Sequence, residues 1–434
     1  MKLTSFLSQY AENDTFRAHM PGHKGRALPE FPELSGAYAW DITEITGADS
    51  LLEADGILRE GERRTAALYS SADCCWSAGG STLCIQAMLA KMRTEHRRVI
   101  AGRTVHRAFL NACILLGLSV EWVWPREGSL IAGRYDPGDF ERILRRVSAA
   151  GEKACIYVTS PDYCGNMQDI AALSRLCRRY DARLLVDNAH GAHLAFLAEN
   201  KHPIALGADF CCDSAHKMLP ALTGAAMLHC AEPCGMEMKQ FMTLFGSTSP
   251  SYLIMQSIEA AMAYLSEEGI AGVQWCAQRS DVLRSRLSRF DFVGDDPLHL
   301  TIRADGNALA KALRAHNVEC EYADSTCAVL LLSPVMEERD FRRLEQALEM
   351  CAAAAPLLPP ALPEPPEQVC TMRQAALSVW ECVPIDTAVG RICGAVQVPC
   401  PPAVPLLVSG ERITGEWAEL MRFYGIGEVL VMRL

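Results

Sequence analysis

Short apolar segments alternate with helical patterns through the first half of this 434-residue chain. Each of these segments has the length of a buried strand, and helices are expected to begin at His106 and Asp169 between them. This βαβ alternation predicts an α/β fold in which crossover helices connect the strands of a parallel sheet. The predicted strands are 98–101, 119–124, 154–159 and 183–186.

Two polar segments directly follow predicted strands. The segment 187–193 (DNAHGAH) follows the strand at 183–186, and the segment 214–217 (SAHK) follows a further candidate strand at 208–212. Open α/β sheets build their sites at the carboxyl ends of the strands, so Asp187 is expected beside Lys217. An isolated pair of this kind is more often a solvated ion pair, but here both residues have apolar strands and histidines as neighbours.

A lysine and an aspartate in this arrangement suit pyridoxal 5′-phosphate (PLP). The cofactor is bound covalently by a lysine, and a carboxylate keeps its pyridine nitrogen protonated, so that the ring acts as an electron sink. Asp187, His190 and His193 could instead be zinc ligands, which would indicate a hydrolase. Because Gly191 lies between the two histidines, no helix is expected to hold both imidazoles on one face. We therefore expect no metal site.

A glycine-rich segment, 77–82 (SAGGST), opens a predicted helix. Glycines at a helix start let backbone N–H groups approach an anion, and the helix dipole and nearby hydroxyls add to the attraction. The segment is a candidate phosphate site, although a simple turn with an N-cap would have the same residues.

Composition narrows the class of protein. Half of the residues are hydrophobic, and the formal net charge of -11 argues against nucleic acid or an anionic membrane as the main partner, while it suits a cationic substrate. The 19 cysteines are scattered, which favours thiols in a reducing compartment. The N-terminus lacks the apolar core of a signal peptide, and the apolar run 112–120 is too short to span a bilayer. A cytoplasmic location is expected.

With these segments, the chain resembles the Orn/Lys/Arg decarboxylases, a family of fold-type-I PLP enzymes. Further resemblance lies in 19–25 (HMPGHKG), 41–49 and 399–405 (PCPPAVP). It implies a large α/β domain with a mostly parallel sheet and a small α+β C-terminal domain. It also implies a cytoplasmic homodimer with shared active sites, which decarboxylates arginine, lysine or ornithine in polyamine biosynthesis.

The resemblance also implies roles for individual residues. Lys217 binds the cofactor, Asp187 contacts the pyridine nitrogen, and His106 and Ala189 lie on opposite faces of the ring. His190 lies near the cofactor or the substrate carboxylate. For His106 and His216, helix capping is the ordinary alternative. Phosphate contacts are implied for Gly80, Ser81, Thr82, Ser214 and His216, and across a dimer interface for Ser247 and Thr248.

The chain departs from the family pattern at five positions. These departures leave open other PLP chemistry, such as transamination or an aldol-type cleavage, and a catalytically impaired relative. They are Asp162 for threonine, Asn188 for glutamate, Ala395 where a glutamate is usual, Cys400 for tyrosine and Ala403 for glycine.

Five regions are expected along the chain. The small domain should contain strands at 298–302 and near 318 and 328. The regions are an N-terminal arm of weak periodicity (1–70), a PLP-binding large domain (71–268), a small α+β domain (269–352), a proline-rich linker (353–368) and a C-terminal decarboxylase-type segment (369–434).

Overall fold

A computed structural model describes residues 2–128, 130–352, 354–395 and 404–433. The chain divides into two compact units, each assembled from separate segments. The first unit comprises residues 1–91, 188–275 and 333–335, and the second comprises residues 92–187, 276–332 and 336–434. In the part of the chain that the structure describes, no helix combines the length and hydropathy needed to cross a bilayer.

Helices occur along most of the described chain. They are α1 (Lys2–Glu12), α2 (Ser35–Trp40), α3 (Ile57–Tyr69), α4 (Gly80–Thr94), α5 (Arg107–Leu116), α6 (Pro137–Ala149), α7 (Ile170–Arg179), α8 (Ala215–Met218), α9 (Gly235–Thr243), α10 (Tyr252–Tyr264), α11 (Ile270–Arg286), α12 (Gly306–Ala315), α13 (Glu338–Glu349), α14 (Met372–Ala376) and α15 (Gly415–Phe423).

The strands are short. They are β1 (Asp73–Ser77), β2 (Arg98–Gly102), β3 (Val120–Val123), β4 (Glu127–Gly128), β5 (Gly133–Arg134), β6 (Ala154–Thr159), β7 (Arg183–Asp187), β8 (Phe210–Asp213), β9 (Ala226–Cys230), β10 (Asp291–Val293), β11 (His299–Arg303), β12 (Tyr322–Ala323), β13 (Cys327–Leu331), β14 (Trp380–Pro384) and β15 (Glu428–Met432).

Strands β2, β3, β6 and β7 of the second unit form a parallel array in the order β7-β6-β2-β3. The alternation of apolar segments with helices predicted this arrangement, and the structure confirms it. Asp169 caps α7 by accepting a hydrogen bond from the Ala172 N–H at 2.8 Å, at the predicted helix start. The register pairs Thr159 with Asp187, so both residues lie at the carboxyl ends of their strands.

The first unit contains an antiparallel array, β1-β9-β8, whose residues are all buried. Leu228 of β9 pairs with Cys75 on one side and with Cys212 on the other. The sequence does not predict whether these strands pair parallel or antiparallel, because a fully buried strand is a continuous apolar run in either kind of pairing.

The second unit also carries an antiparallel sheet, in the order β10-β11-β13-β12. Helices α12 and α13 accompany it, as expected for an α+β domain. The predicted strand near 318 is wrong: Val318 N–H bonds to the Leu313 carbonyl at the end of α12, and the strand lies at Tyr322–Ala323. A separate hairpin-like pair, β14 with β15, packs with α15 around the buried Trp417.

Residues 1–70 are more regular than their weak periodicity indicated, since they contain α1 and α3. Helix α1 buries Leu3 and Leu7, and the Glu259 carboxylate accepts hydrogen bonds from its first N–H groups, including Thr4 N–H at 2.9 Å. The cap comes from a residue about 250 positions away, so local sequence could not reveal it.

The proline-rich segment has neither helix nor strand over its described residues 354–367. It is nevertheless attached to its own unit: Leu357 N–H bonds to the Ser325 carbonyl at 2.8 Å, and Trp417 Nε1 donates to the Glu364 carbonyl at 3.1 Å. The five regional boundaries expected from sequence stay a prediction.

Candidate functional site

Lys217 lies in α8, the short helix that follows β8 in the first unit. Its side chain is half-buried, and Nζ lies 2.9 Å from Nε2 of His190, whose imidazole is buried. At this distance one nitrogen donates a proton to the other. The structure thus brings together two of the predicted catalytic residues.

The segment that carries His190 runs beside the end of β8. Asn188 N–H donates to the Cys212 carbonyl at 3.0 Å, and Ser214 N–H donates to the Ala189 carbonyl at 3.3 Å. These backbone contacts hold residues 188–190 next to the segment that leads to Lys217. Within the first unit, the two polar segments are therefore neighbours, as the sequence indicated.

A second group of predicted residues surrounds the start of α4. Ser214 Oγ donates to Ser81 Oγ at 2.9 Å. Gly80 has a φ of +67°, and a side chain there would meet open space. Thr82 is exposed in the first turn of the helix. The two hydroxyls, together with the helix N-terminus, form a site suited to an oxyanion.

His216 also lies in α8, and its Nδ1 is 2.8 Å from the Ala225 carbonyl oxygen. A carbonyl oxygen only accepts, so Nδ1 carries the proton. Ser247 and Thr248 lie in the loop before α10 and are exposed. Ala189 is buried.

Asp187 is the last residue of β7 in the second unit, and it is buried. Its Oδ2 accepts a hydrogen bond from the Tyr157 hydroxyl at 3.2 Å, and its carbonyl accepts from Ser160 N–H at 3.0 Å. Nothing in the sequence marks Tyr157 as a site residue. The only signal was its place in β6, the strand next to β7, because a tyrosine in an apolar strand usually packs in the core.

His106 is the N-cap residue of α5, where Nδ1 accepts from Ala108 N–H at 3.2 Å. The capping alternative is therefore real. Capping is compatible with a role in cofactor binding, because the hydrogen bond at Nδ1 holds the imidazole in a fixed orientation.

Of the positions that depart from the family pattern, Asp162 is fully buried in the turn after β6. Its Oδ1 accepts from Cys164 N–H at 2.9 Å and from Asn166 N–H at 3.0 Å. Burial raises the pKa of Asp162 to about 7, although these hydrogen bonds oppose the shift. The carboxyl is used to form the turn.

Asn188 is also fully buried, and its Nδ2 donates to Asp213 Oδ1 at 2.6 Å. Ala395 is buried, and its carbonyl accepts a hydrogen bond from the Ser409 hydroxyl. Cys400 and Ala403, and with them most of the 399–405 segment, lie outside the described residues.

Comparison with known families places these residues in context. A profile described as the Orn/Lys/Arg decarboxylase major domain matches residues 2–296, and one described as its C-terminal domain matches residues 360–429. The chain belongs to the Orn/Lys/Arg decarboxylase family. The resemblance found in the sequence is confirmed.

Individual relatives of this decarboxylase-family chain agree. It is 26% identical to an arginine decarboxylase of Bacillus subtilis, over 94% of this chain and 90% of that protein. The lysine decarboxylase LdcF of Francisella novicida superposes with a TM-score of 0.82 at 17% identity, over 100% of this chain and 81% of that one. The constitutive lysine decarboxylase of Escherichia coli gives 0.80 at 18%, over 99% and 82%. These likenesses confirm the predicted fold-type-I class.

Proposed function

We propose that this chain is a PLP-dependent enzyme that decarboxylates a basic amino acid. The contact of 2.9 Å between Lys217 Nζ and His190 Nε2 carries the proposal. The imidazole gives the lysine amine a partner with which it can exchange a proton. The amine needs such a partner if it alternates between covalent binding and proton transfer.

The side chains of the first unit fit the cofactor. Donors for a phosphate come from the hydroxyls of Ser81 and Ser214 and from the N-terminus of α4. The open space at Gly80 leaves room for the phosphate. Thr82 and His216 would add to them. Lys217 would hold the cofactor covalently.

In the second unit, Asp187 would contact the pyridine nitrogen. Its buried carboxylate already accepts a hydrogen bond from Tyr157. A second acceptor site on the same carboxylate suits a ring N–H, because an ionised carboxylate accepts several hydrogen bonds. His106 and Ala189 would lie against the two faces of the ring.

When bound, pyridoxal phosphate supplies the conjugated ring that takes up the electron pair of the broken Cα–carboxylate bond. The protein must then return a proton to Cα. We assign this proton to Lys217 Nζ, with His190 Nε2 as the group that restores it. The products are the amine and carbon dioxide.

Arginine is the first substrate to test, since the arginine decarboxylase of Bacillus subtilis aligns with 94% of this chain. Lysine and ornithine are the other candidates. The amine product would be consumed in polyamine biosynthesis in the cytoplasm.

The test begins with the purified full-length protein. We expect it to be yellow, and borohydride reduction followed by peptide mapping should find the cofactor on Lys217. Lys217→Ala should be colourless and should release no carbon dioxide from any of the three amino acids. Lys201→Ala removes another half-buried lysine of the same unit and is the matched control. It should remain yellow and should release carbon dioxide as the wild type does.

Other outcomes separate the alternatives. Keto-acid or aldehyde formation without carbon dioxide would indicate transamination or aldol-type chemistry on the same lysine. A yellow protein that turns over none of the three substrates would be an impaired relative. A colourless wild-type protein after incubation with PLP would contradict the proposal.

We also propose a homodimer in which Ser247 and Thr248 bind the phosphate of the partner's cofactor. Both side chains are exposed in the single chain. Large apolar side chains of the N-terminal segment are exposed too, among them Phe16, Leu28 and Phe31. Apolar surface of this kind is typical of a protein–protein interface.

A further inference from the structure

Four potential metal ligands, His202, Cys211, Asp213 and His229, lie together in the first unit. We call them the His202 cluster. All four are fully buried. The proposed decarboxylation assigns none of them a role, and no metal-ligand spacing connects them in the sequence.

The antiparallel array brings three of the four to one face. Cys211 and Asp213 are two apart on β8, so their side chains point to the same side of the strand. His229 of β9 is the direct cross-strand partner of Cys211. His202 reaches the same face from the segment before β8.

The donor atoms of His202, Cys211 and Asp213 converge, because one atom from each lies within 4.8 Å of the other two. His229 contacts this group through Asp213. Nε2 of His202 lies 3.1 Å from Asp213 Oδ2 and 3.6 Å from Cys211 Sγ. Cys211 Sγ is 4.0 Å from Asp213 Oδ1, and His229 Nε2 is 3.4 Å from Asp213 Oδ2. A tetrahedral zinc ion with bonds of about 2.0 to 2.3 Å separates its ligand atoms by roughly 3.3 to 3.8 Å. The separations among His202, Cys211 and Asp213 are close to that range, with the His202 distance measured to Oδ2 of Asp213 and the Cys211 distance to Oδ1.

Charge also favours a divalent cation here. A thiolate and a carboxylate carry two negative charges, and two neutral imidazoles carry none, so a zinc ion makes the buried group neutral. Nitrogen and sulfur donors together are the set that zinc prefers.

Among the described residues, Nδ1 of His202 has no hydrogen-bond partner. The ring is therefore oriented by the contacts of its Nε2 with Asp213 and Cys211.

Neighbouring side chains orient the ligands as they do in known metal sites. Asn188 Nδ2 donates to Asp213 Oδ1 at 2.6 Å, and the Ser71 hydroxyl lies 3.3 Å from Nδ1 of His229. A hydrogen bond at Nδ1 leaves Nε2 of His229 for the cluster.

We propose that the His202 cluster is a zinc site in which His202, Cys211 and Asp213 are the protein ligands and His229, which contacts Asp213, lines the site. The site fastens the end of β8, from which Ser214 and Lys217 follow. It is a departure from the sequence-based expectation of no metal, and it does not depend on the proposed decarboxylation.

Metal analysis of the full-length protein tests the proposal. The protein is purified without chelators from zinc-supplemented cells, and we expect about one zinc per chain. Cys211→Ser should lose most of the zinc. Cys212→Ser is the matched control, because it removes a thiol that is equally buried but on the other face of β8, and it should retain the zinc.

Cobalt gives an independent readout on the wild-type chain. Replacing zinc by Co²⁺ should produce a thiolate-to-metal absorption band in the near ultraviolet, together with the visible bands of tetrahedral cobalt. The bands should persist in Cys212→Ser and weaken strongly in Cys211→Ser. If Cys211→Ser fails to fold, His202→Gln takes its place and should lose the zinc in the same way.

Folded wild-type protein with only trace zinc and no thiolate–cobalt band would overturn the proposal, and the cluster would then be a carboxylate–imidazole network. Full zinc content in both Cys211→Ser and His202→Gln would overturn it as well.

Discussion

At the scale of single residues, Asp162 has a marked consequence for pH dependence. Burial raises the pKa of its carboxyl to about 7, whereas the value in an unfolded chain is about 3.9. Between these values the folded protein holds a proton that the unfolded chain has lost. The stability that this carboxyl contributes is therefore complete below about pH 4 and is lost as the pH rises to about 7.

We predict that the wild type loses about 2 to 3 kcal/mol of stability between pH 5 and pH 7.5 relative to Asp162→Asn, which has no proton to release. Urea denaturation of both proteins at the two pH values measures this difference. Since the other acids titrate alike in both proteins, the comparison isolates residue 162. An unchanged difference would show that Asp162 is ionised throughout.

At the scale of elements, the start of α3 depends on a residue outside the helix. Asp49, in a left-handed conformation with a φ of +67°, accepts hydrogen bonds from the N–H groups of Gly56 and Leu58, both at 2.9 Å. The helix N-terminus attracts its negative charge as well. A single carboxylate thus satisfies donors that a helix start leaves without partners.

We predict that Asp49→Ala destabilises the protein by about 2 kcal/mol, through lost charged hydrogen bonds and a strained left-handed backbone. Asp49→Asn, which keeps one acceptor and tolerates that backbone, should lose about half as much. Asp55→Ala, in the same loop, is the control and should stay within about 0.5 kcal/mol. The midpoint of urea denaturation reports all three; equal effects of Ala at 49 and 55 would contradict this account.

At the scale of the whole molecule, the proposed shared sites predict complementation between two inactive variants. Co-expression of Lys217→Ala with a Ser247→Ala/Thr248→Val chain gives mixed dimers. If residues 247 and 248 serve the partner's site, each mixed dimer has one intact site. The mixture should then regain about a quarter of wild-type activity, because half of the dimers are mixed.

Each variant expressed alone is the control and should be inactive or nearly so, while light scattering should give the mass of a dimer in every case. Mixed dimers without activity would place the serine and threonine in their own chain's site. A monomeric wild type would contradict the shared site altogether.

Local sequence was enough for much of the fold. The strands of the parallel array and the helix start at Asp169 were predictable because a buried strand and a capped helix are defined by neighbouring residues. The antiparallel pairing of β8 with β9 was not predictable from local sequence. The strand predicted near 318 was misplaced because a two-residue strand has too little sequence pattern to locate it.

The family, the strands of the parallel array and the proposed site residues Lys217 and His190 were predictable from the sequence alone, because their motifs are continuous in the chain. The thiols agree too: none of the cysteines in the described residues forms a disulfide. The folded chain alone shows that Tyr157 contacts Asp187, that His202 lies with Cys211 and Asp213, and that His229 contacts Asp213. Such contacts depend on strand register and on segments far apart in the chain, which no local pattern of residues encodes.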